Sequence, residues 1–313
     1  MRGFLTFVVL ALGWVLLAVS VVAVWLHYHS SRGTVALYAT AAVPYALVAA
    51  AVALIVFAVT RRWVALSLTV VAAAALCFTQ GPMWVAQSAP AGERFTVASA
   101  NLMVGNGDVD AVADAVGGAD LVSLQEVTPA AADRIRASAL ATRLPHEYLI
   151  AGNGATGTML RSRQPLTDTS RIPNMALANL SATTALPGAP ETRVLAVHPG
   201  APLQGYANVW NTDMQILAEY LAALPEGPAI VAGDFNATWD HTRFRALLTD
   251  GFADAGVQSG SAWVPTYPTD RWGGYPLVAI DHVVIRGFVA TGVRTFTIPG
   301  SDHRGVLADL VAG

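Results

Sequence analysis

The sequence predicts a mixed α/β domain preceded by three membrane-crossing helices, and three observations carry that expectation. Charge is split: residues 1–92 contain four arginines and no acid, whereas residues 93–313 hold 14 arginines against all 21 acids, a net of −7. Three long uncharged stretches lie inside the first part. The second part alternates short apolar runs with amphipathic ones, the pattern of strands and helices sharing one core. Only 12% of the 313 residues are charged and the mean hydropathy is +0.49, against roughly 25% charge in an ordinary soluble domain. A wholly water-soluble chain is therefore a poor reading. The expected organisation is a membrane region over residues 1–86, a polar linker over 87–94 and a single domain over 95–313, long enough to bury one sizeable core. Every basic side chain is arginine. With the Ala/Val/Gly richness, this reflects compositional bias.

Residues 3–26 carry no charge and suffice to cross a hydrocarbon layer of roughly 30 Å. Residues 34–60 form a second uncharged stretch, interrupted by Pro44, which a membrane helix tolerates. Residues 63–84 form the third, with Trp63 and Trp84 at its ends, where interfacial aromatics are expected. A signal peptide would have a shorter apolar run and a small-residue cleavage site. With Arg2, Arg61 and Arg62 inside and Arg32 outside, the positive-inside rule delivers the acidic domain to the non-cytoplasmic side of the plasma membrane. The lone Cys77 lies in the third stretch, so an intrachain disulfide is ruled out.

In the second part, residues 95–100 read as a strand ending at Asn101. Asp108 caps a helix whose Val109, Val112, Ala113 and Val116 recur at helical spacing. Residues 121–125 read as a buried strand delivering Glu126. Thr128-Pro129 is a helix start, a capping hydroxyl followed by proline at the first helical position. Short strands are expected at 159–160 and 193–197, and an amphipathic helix over 208–224. An apolar strand at 229–232 runs into Gly233-Asp234-Phe235-Asn236. An apolar run at 277–280 leads into Asp281-His282, and Ser301-Asp302-His303 precedes a last strand near 306–310.

Polar residues fall in one kind of place. Asn101, Glu126, His198, Asp234, Asn236, Asp281, Asp302 and His303, spread over six strand ends, each sit at or just past the end of an apolar strand, where side chains of a packed sheet converge on one pocket. One such case is an ordinary turn; six together form a pattern. His146, His241, His282, Asp240 and Arg163 are expected to be structural, ion-paired or surface groups. Trp263, Tyr267, Trp272 and Tyr275 lie in a Gly/Pro-rich loop and serve either loop packing or a substrate lip.

The segments ASANLMVGN, ADLVSLQEV, VLAVHPGAP, IVAGDFNAT, VAIDHVVI and GSDHRGVLADL resemble, in order, those of the endonuclease/exonuclease/phosphatase superfamily, which includes deoxyribonuclease I, abasic-site endonucleases, inositol-polyphosphate 5-phosphatases and bacterial sphingomyelinases. The resemblance spans essentially the whole second part and implies a four-layer α/β sandwich of two packed sheets with helices outside. It also implies a divalent cation, Mg²⁺ with Mn²⁺ as the alternative, held by Glu126 with Asn101 assisting and Asp302 nearby. Asp234 would orient or deprotonate the attacking water, Asn236 would fix that water or a phosphate oxygen, His303 oriented by Asp281 would contact the phosphate, and His198 would donate from the other side. Ala279 stands where many nucleases carry an arginine.

The chain is thus expected to be a membrane-anchored, metal-dependent hydrolase of phosphate esters, with membrane lipids as surroundings and a lipid, lipid-linked or small phosphate ester as substrate. A nuclease grips phosphates with a basic surface, which a domain at −7 without lysine lacks. Nucleic acid is the less expected partner. A non-catalytic receptor on a retired hydrolase would have lost Glu126, Asp234 or His303, and all are present.

Overall fold

The computed structural model describes residues 2–313, apart from the side chains of Arg2 and Trp272. The chain forms two compact units, one running to Pro82 and including Trp239–Thr242, the other made of Met83–Thr238 and Arg243–Gly313.

The first unit contains α1 (Arg2–Tyr28), α2 (Thr34–Ala41), α3 (Ala46–Val59) and α4 (Trp63–Gln80). Gly13 lets α1 and α3 approach closely, since a Cβ there would lie 2.8 Å from Val56 and 3.0 Å from Phe57. Leu17, Ala53, Phe57, Ala65 and Ala72 form the contact, while Phe4, Phe7, Val48, Ile55 and Phe78 expose apolar side chains outward. Such a surface is costly in water and suited to lipid. Gly3–Tyr28 and Trp63–Trp84 are long and apolar enough to cross a membrane. The expected middle span differs: Thr34–Ala41 and Val43–Val59 meet at a bend of 51°. The break falls beside Pro44, which has no backbone N–H to give to the helix. Among the described residues two helices are thus long and apolar enough to cross, and a third stretch only if the bent pair counts as one.

Three consecutive residues of the 239–242 segment bond to this unit. The Trp239 indole N–H donates to the Thr79 carbonyl (3.0 Å), the Asp240 carboxylate meets His27 Nδ1 (2.6 Å) and Gln80 Nε2 (2.8 Å), and His241 Nε2 meets the Leu37 carbonyl (3.1 Å). Asp240 is fully buried, which corrects the solvent-facing half of the expectation and leaves it bonded to His27 and Gln80.

The second unit holds twelve strands among its described residues. In chain order it runs β1 (Arg94–Asn101), α5 (Val109–Ala115), β2 (Leu121–Gln125), α6 (Pro129–Ala137), α7 (Ala139–Arg143), β3 (His146–Ile150), β4 (Thr158–Ser162), β5 (Thr167–Arg171), β6 (Leu180–Leu186), β7 (Ala189–Val197) and α8 (Ala207–Ala222). It continues with β8 (Ala229–Asp234), the short α9 (Thr242–Arg245), β9 (Ala253–Asp254), α10 (Ala255–Gln258), β10 (Asp281–Arg286), β11 (Phe288–Thr297) and β12 (Arg304–Ala312). One sheet has the order β11-β12-β1-β2-β4-β3 and the other β5-β6-β7-β8-β10-β9.

Each sheet is built around one parallel pair, β1 with β2 and β7 with β8, and each pair is joined by a crossover containing a helix. The expected caps form: Asp108 accepts from the amides of Asp110 and Ala111, and Thr128 from that of Ala131 ahead of Pro129. The sheets face each other over Phe95, Val97, Leu121 and Leu160 from one and Leu180, Val194, Ile230 and Ile285 from the other. On its outer side the first sheet packs Ala98, Val122 and Met159 against Val112, Ile135 and Leu140 of the helices. The buried Trp210, Met214, Leu217 and Leu221 give α8 an inward stripe. The result is a mixed α/β fold with two sheets, as expected.

One strand expectation fails. Residues 277–280 do not form a strand; only an isolated bridge joins Val278 to Tyr267, and β10 begins at Asp281. Loop residues from Trp263 to Tyr275, with four glycines and prolines among them, give that run no partner strand.

Gly233 on β8 is set so close to β7 that a Cβ would stand 1.9 Å from the Val197 carbonyl oxygen. Backbone cannot yield as a side chain can, so Gly233→Ala is expected to cost about 3 kcal/mol. The check is a thermal melt of the purified protein, with a drop in Tm of roughly 6–12 °C. An unchanged Tm would contradict this packing.

Candidate active site

Eight residues singled out from the sequence converge at one edge of the two sheets. Asn101 ends β1, Glu126 follows β2, His198 follows β7, and Asp234 ends β8 with Asn236 just beyond. Asp281 and His303 arrive differently from the expectation that they follow strands. Asp281 opens β10 and His303 precedes β12, and both strands run antiparallel to their central neighbours, β8 and β1. The start of an antiparallel strand lies beside the end of its partner, so the register pairs Asp281 with Asp234.

Asp234 is the hub. Its Oδ1 accepts the Asn236 amide at 2.8 Å and its Oδ2 accepts Asn101 Nδ2 at 3.1 Å. Asn101 also donates to Glu126 Oε1 (3.1 Å) while its own oxygen accepts the Met103 amide (2.9 Å). The Met103 bond fixes which end of the Asn101 amide is oxygen, and its NH₂ therefore bridges two carboxylates. Glu126 Oε2 accepts the Val104 amide at 2.6 Å. Ser301 holds the Asn101 carbonyl by its hydroxyl (2.8 Å), and the same Oγ accepts the His303 amide (3.1 Å).

Two imidazoles flank Asp234 Oδ2. His303 Nε2 stands 3.6 Å away and His198 Nε2 3.7 Å away. Both distances exceed a hydrogen bond, so neither Nε2 is bonded to the carboxylate. His303 Nδ1 is anchored by Asp281 Oδ2 at 2.9 Å, and its ring lies 4.9 Å from that of Tyr267. His198 is fixed by its backbone, whose amide donates to Asn179 Oδ1 (2.6 Å), while its buried Nδ1 has no partner. Asn236 donates through Nδ2 to the Pro199 carbonyl (3.0 Å).

The electrostatics follow from burial. Burial pushes Asp234 above the usual carboxylate range and Asp281 adds to that, with His303 and His198 pulling the other way. Asp302 is likewise raised by burial, opposed by His303. Burial alone would lower the His303 imidazole, but the charges of Asp281 and Asp234 outweigh it and push it up to about 10. His303 is thus a cation at neutral pH.

Asp234, Asp281 and His303 each place one donor atom within 4.8 Å of the others. Since His303 Nδ1 is already engaged by Asp281, this trio reads as a charge-sharing group. Glu126 and Asp302 supply hard carboxylate oxygens, and Glu126 lies close enough to Asp302 to raise its pKa. That donor set suits Mg²⁺ or Mn²⁺.

The sequence reading passed over several residues. Ser301 and Asn179 hold the site and look in sequence like any polar loop or strand residue. His282, expected to be structural, is buried, with Nδ1 on Asp254 Oδ2 and Nε2 on the Ala237 carbonyl, both at 2.9 Å. Burial would lower its pKa, but the bond and charge of Asp254 and the Ala237 carbonyl raise it. His146 lies half-buried in β3, and Arg163 pairs with Asp120 at 2.9 Å. In the aromatic loop Tyr267 touches the site, Trp263 is half-buried and Tyr275 is 74% exposed; the Trp272 side chain lies outside the described residues.

Solved structures share this fold. The fold is similar to that of a humanized D. rerio TDP2, with a TM-score of 0.58 and 15% identity over 69% of this chain and 98% of that one. It is also similar to an endonuclease/exonuclease/phosphatase from Beutenbergia cavernae (TM-score 0.54, 19% identity, 70% of this chain and 72% of that one). A 3′-5′ exonuclease from Neisseria meningitidis aligns with a TM-score of 0.51 and 16% identity over 68% of this chain and 98% of that one. No curated protein matches the sequence. The description of the endonuclease/exonuclease/phosphatase family, hydrolases of phosphate ester bonds, matches residues 98–303, and the chain belongs to that family.

Proposed function

We propose that this chain is a membrane-anchored, divalent-metal-dependent phosphoesterase that acts on a lipid, lipid-linked or small phosphate ester on the non-cytoplasmic side of the plasma membrane. The observation that carries the reading is the buried Asp234 carboxylate with an imidazole on either side, neither bonded to it. That arrangement sets one carboxylate base between two imidazole Nε2 atoms, the equipment for handling a water and a phosphoryl group.

Glu126 and Asp302 would hold the cation, with Asn101 keeping Glu126 and Asp234 in place. When bound, the cation neutralises charge on the phosphoryl oxygens and the leaving oxygen. Asp234, ionised and desolvated, would take the proton of the attacking water as the P–O bond forms and the ester P–O bond breaks. Asn236 would orient that water or a phosphoryl oxygen. His303, a cation held by Asp281, would present Nε2–H to a phosphoryl oxygen, and His198 would do so from the other side. Tethering to a membrane raises the local concentration of a lipid substrate. The exonuclease among the similar folds makes a nuclease the second reading, set against the net of −7 over residues 93–313.

The test is hydrolysis by the detergent-solubilised full chain with Mg²⁺ on phospholipids, sugar phosphates, bis-p-nitrophenyl phosphate and plasmid DNA. A small or lipid ester is expected to outrun DNA; the reverse order would favour the nuclease. Excess EDTA should abolish turnover and Mg²⁺ or Mn²⁺ restore it. Glu126→Gln should raise the metal concentration needed at least tenfold, because an anionic ligand becomes neutral at constant shape.

The pH profile follows from the two shifted groups. Asp234 must be ionised, so activity falls on the acid side through a pKa raised above the usual carboxylate range. His303 must be protonated, so activity falls on the alkaline side near about 10. His303→Ala should lower kcat by roughly 10² and erase the alkaline limb; an alkaline limb that survives in that variant would remove His303 from the mechanism.

For the topology, a reporter that works only outside the cytoplasm should be active when fused after Gly313. Activity from a cytoplasmic reporter alone would reverse the orientation.

A further inference from the structure

His282 follows Asp281 on β10, so the two side chains point to opposite faces of the sheet. Asp281 faces the reacting groups; His282 lies behind them. Both ring nitrogens of His282 meet pure acceptors, the Asp254 carboxylate and the Ala237 carbonyl. A neutral imidazole has one N–H, so two such bonds require the doubly protonated ring. The ring is 4.2 Å from that of Phe244 and 5.8 Å from that of Phe235, which leaves it little room to turn. Asp254 is fixed in turn by capping α10, where its Oδ1 accepts the Val257 amide at 2.8 Å.

The far end of this chain of bonds is the turn that carries the water-handling residues. Ala237 follows Asn236, which holds φ +51. A non-glycine residue there sits in a conformation that the local chain does not favour. Asn236 donates its amide to Asp234, so its backbone sets the orientation of that carboxylate as well as of its own side chain. Upstream, the Phe235 carbonyl accepts the Trp210 indole (3.1 Å) and its amide donates to Ile280 (2.9 Å). One residue further on, the peptide that follows Ala237 is held by His282 through the Ala237 carbonyl.

We propose that His282 is a positioning residue: its Nε2–H, braced from Asp254, clamps the Ala237 carbonyl and holds Asp234 and Asn236 in their reacting arrangement. It touches neither substrate nor water. The proposal rests on the reading of Asp234 and Asn236 as the groups that handle the attacking water.

The two ring nitrogens can be separated by substitution. Glutamine places an N–H donor near Nε2, and asparagine places one near Nδ1. His282→Gln should keep the Ala237 clamp and hold kcat within about threefold of wild type, with KM unchanged. His282→Asn keeps a donor toward Asp254 but loses the clamp, and should lower kcat at least tenfold at unchanged KM. Hydrogen exchange of the peptide containing residues 234–238, measured on the full chain in detergent, reads the same event without activity. Its amides should exchange at least tenfold faster in His282→Asn and within threefold of wild type in His282→Gln. Asp254→Asn retains an acceptor for Nδ1 and is expected to keep the turn protected, so the proposal stays open to refutation if His282→Asn does not fold. Equal exchange in the two His282 variants, or loss of turn protection in Asp254→Asn alone, overturns the clamp. If the exchange pattern holds but wild type hydrolyses no phosphate ester, the clamp stands and the functional reading falls.

Discussion

Two carboxylates occupy facing positions on adjacent strands, Asp234 at the end of β8 and Asp281 at the start of β10, and both are buried. Like charges opposite one another destabilise a sheet, and burial removes the water that would screen them. The site is organised around that conflict. His303 resolves most of it by bonding Asp281 and carrying a positive charge beside Asp234. Asn101 neutralises another lone pair of Asp234 with its NH₂. What remains is an excess of carboxylate, with Glu126 and Asp302 added at the rim, and an excess of that kind is suited to a hard cation. The pair that makes the sheet costly is the pair that gives the site its chemistry.

The fold class, the order of the site residues and several helix caps were legible because each depends on local chemistry. Asp108 and Thr128-Pro129 cap helices by their own side chains. Leu121–Gln125 reads as a strand because five consecutive residues are buried on both faces. The polarity of strand ends was legible as well, but not which end. Asp281 sits beside Asp234 because β10 is antiparallel to β8, and pairing direction is a property of two distant segments. The apolar run at 277–280 misled for the same reason: apolar character marks burial, and only a partner strand makes a strand. Strands such as β3 and β5, half-buried or exposed along their length, carry no alternation to read.

Side chains that bond across long separations were the least legible. Asp240 meets His27, 213 residues away, and Gln80, 160 away. Nothing in the string Thr-Trp-Asp-His after the site residues distinguishes a surface turn from three side chains bonded into a helical unit. The same holds for His282, whose neighbour Asp281 has a recognisable context while His282 itself faces the other way. Its partners, Asp254 and Ala237, are 28 and 45 residues off.

Backbone strain at the site points in the same direction. Met103, Val104, Glu126 and Asn236 all have positive φ, at 45°, 55°, 59° and 51°. Each costs on the order of 1–3 kcal/mol in a non-glycine residue, and Val104, being β-branched, pays at the upper end. These conformations are explained by what they deliver. The left-handed turn at Met103 and Val104 brings two amides onto Asn101 and Glu126, and the one at Asn236 brings its amide onto Asp234. Backbone N–H groups thereby hold Glu126 and Asp234, to which no arginine among the described residues is bonded. An arginine in the same places would have quenched the charge on which cation binding and proton transfer depend. The strained turns and the absence of arginine from the hub, among the described residues, are therefore two consequences of one requirement, that Asp234 and Glu126 be held rigidly by amides and not paired with a guanidinium.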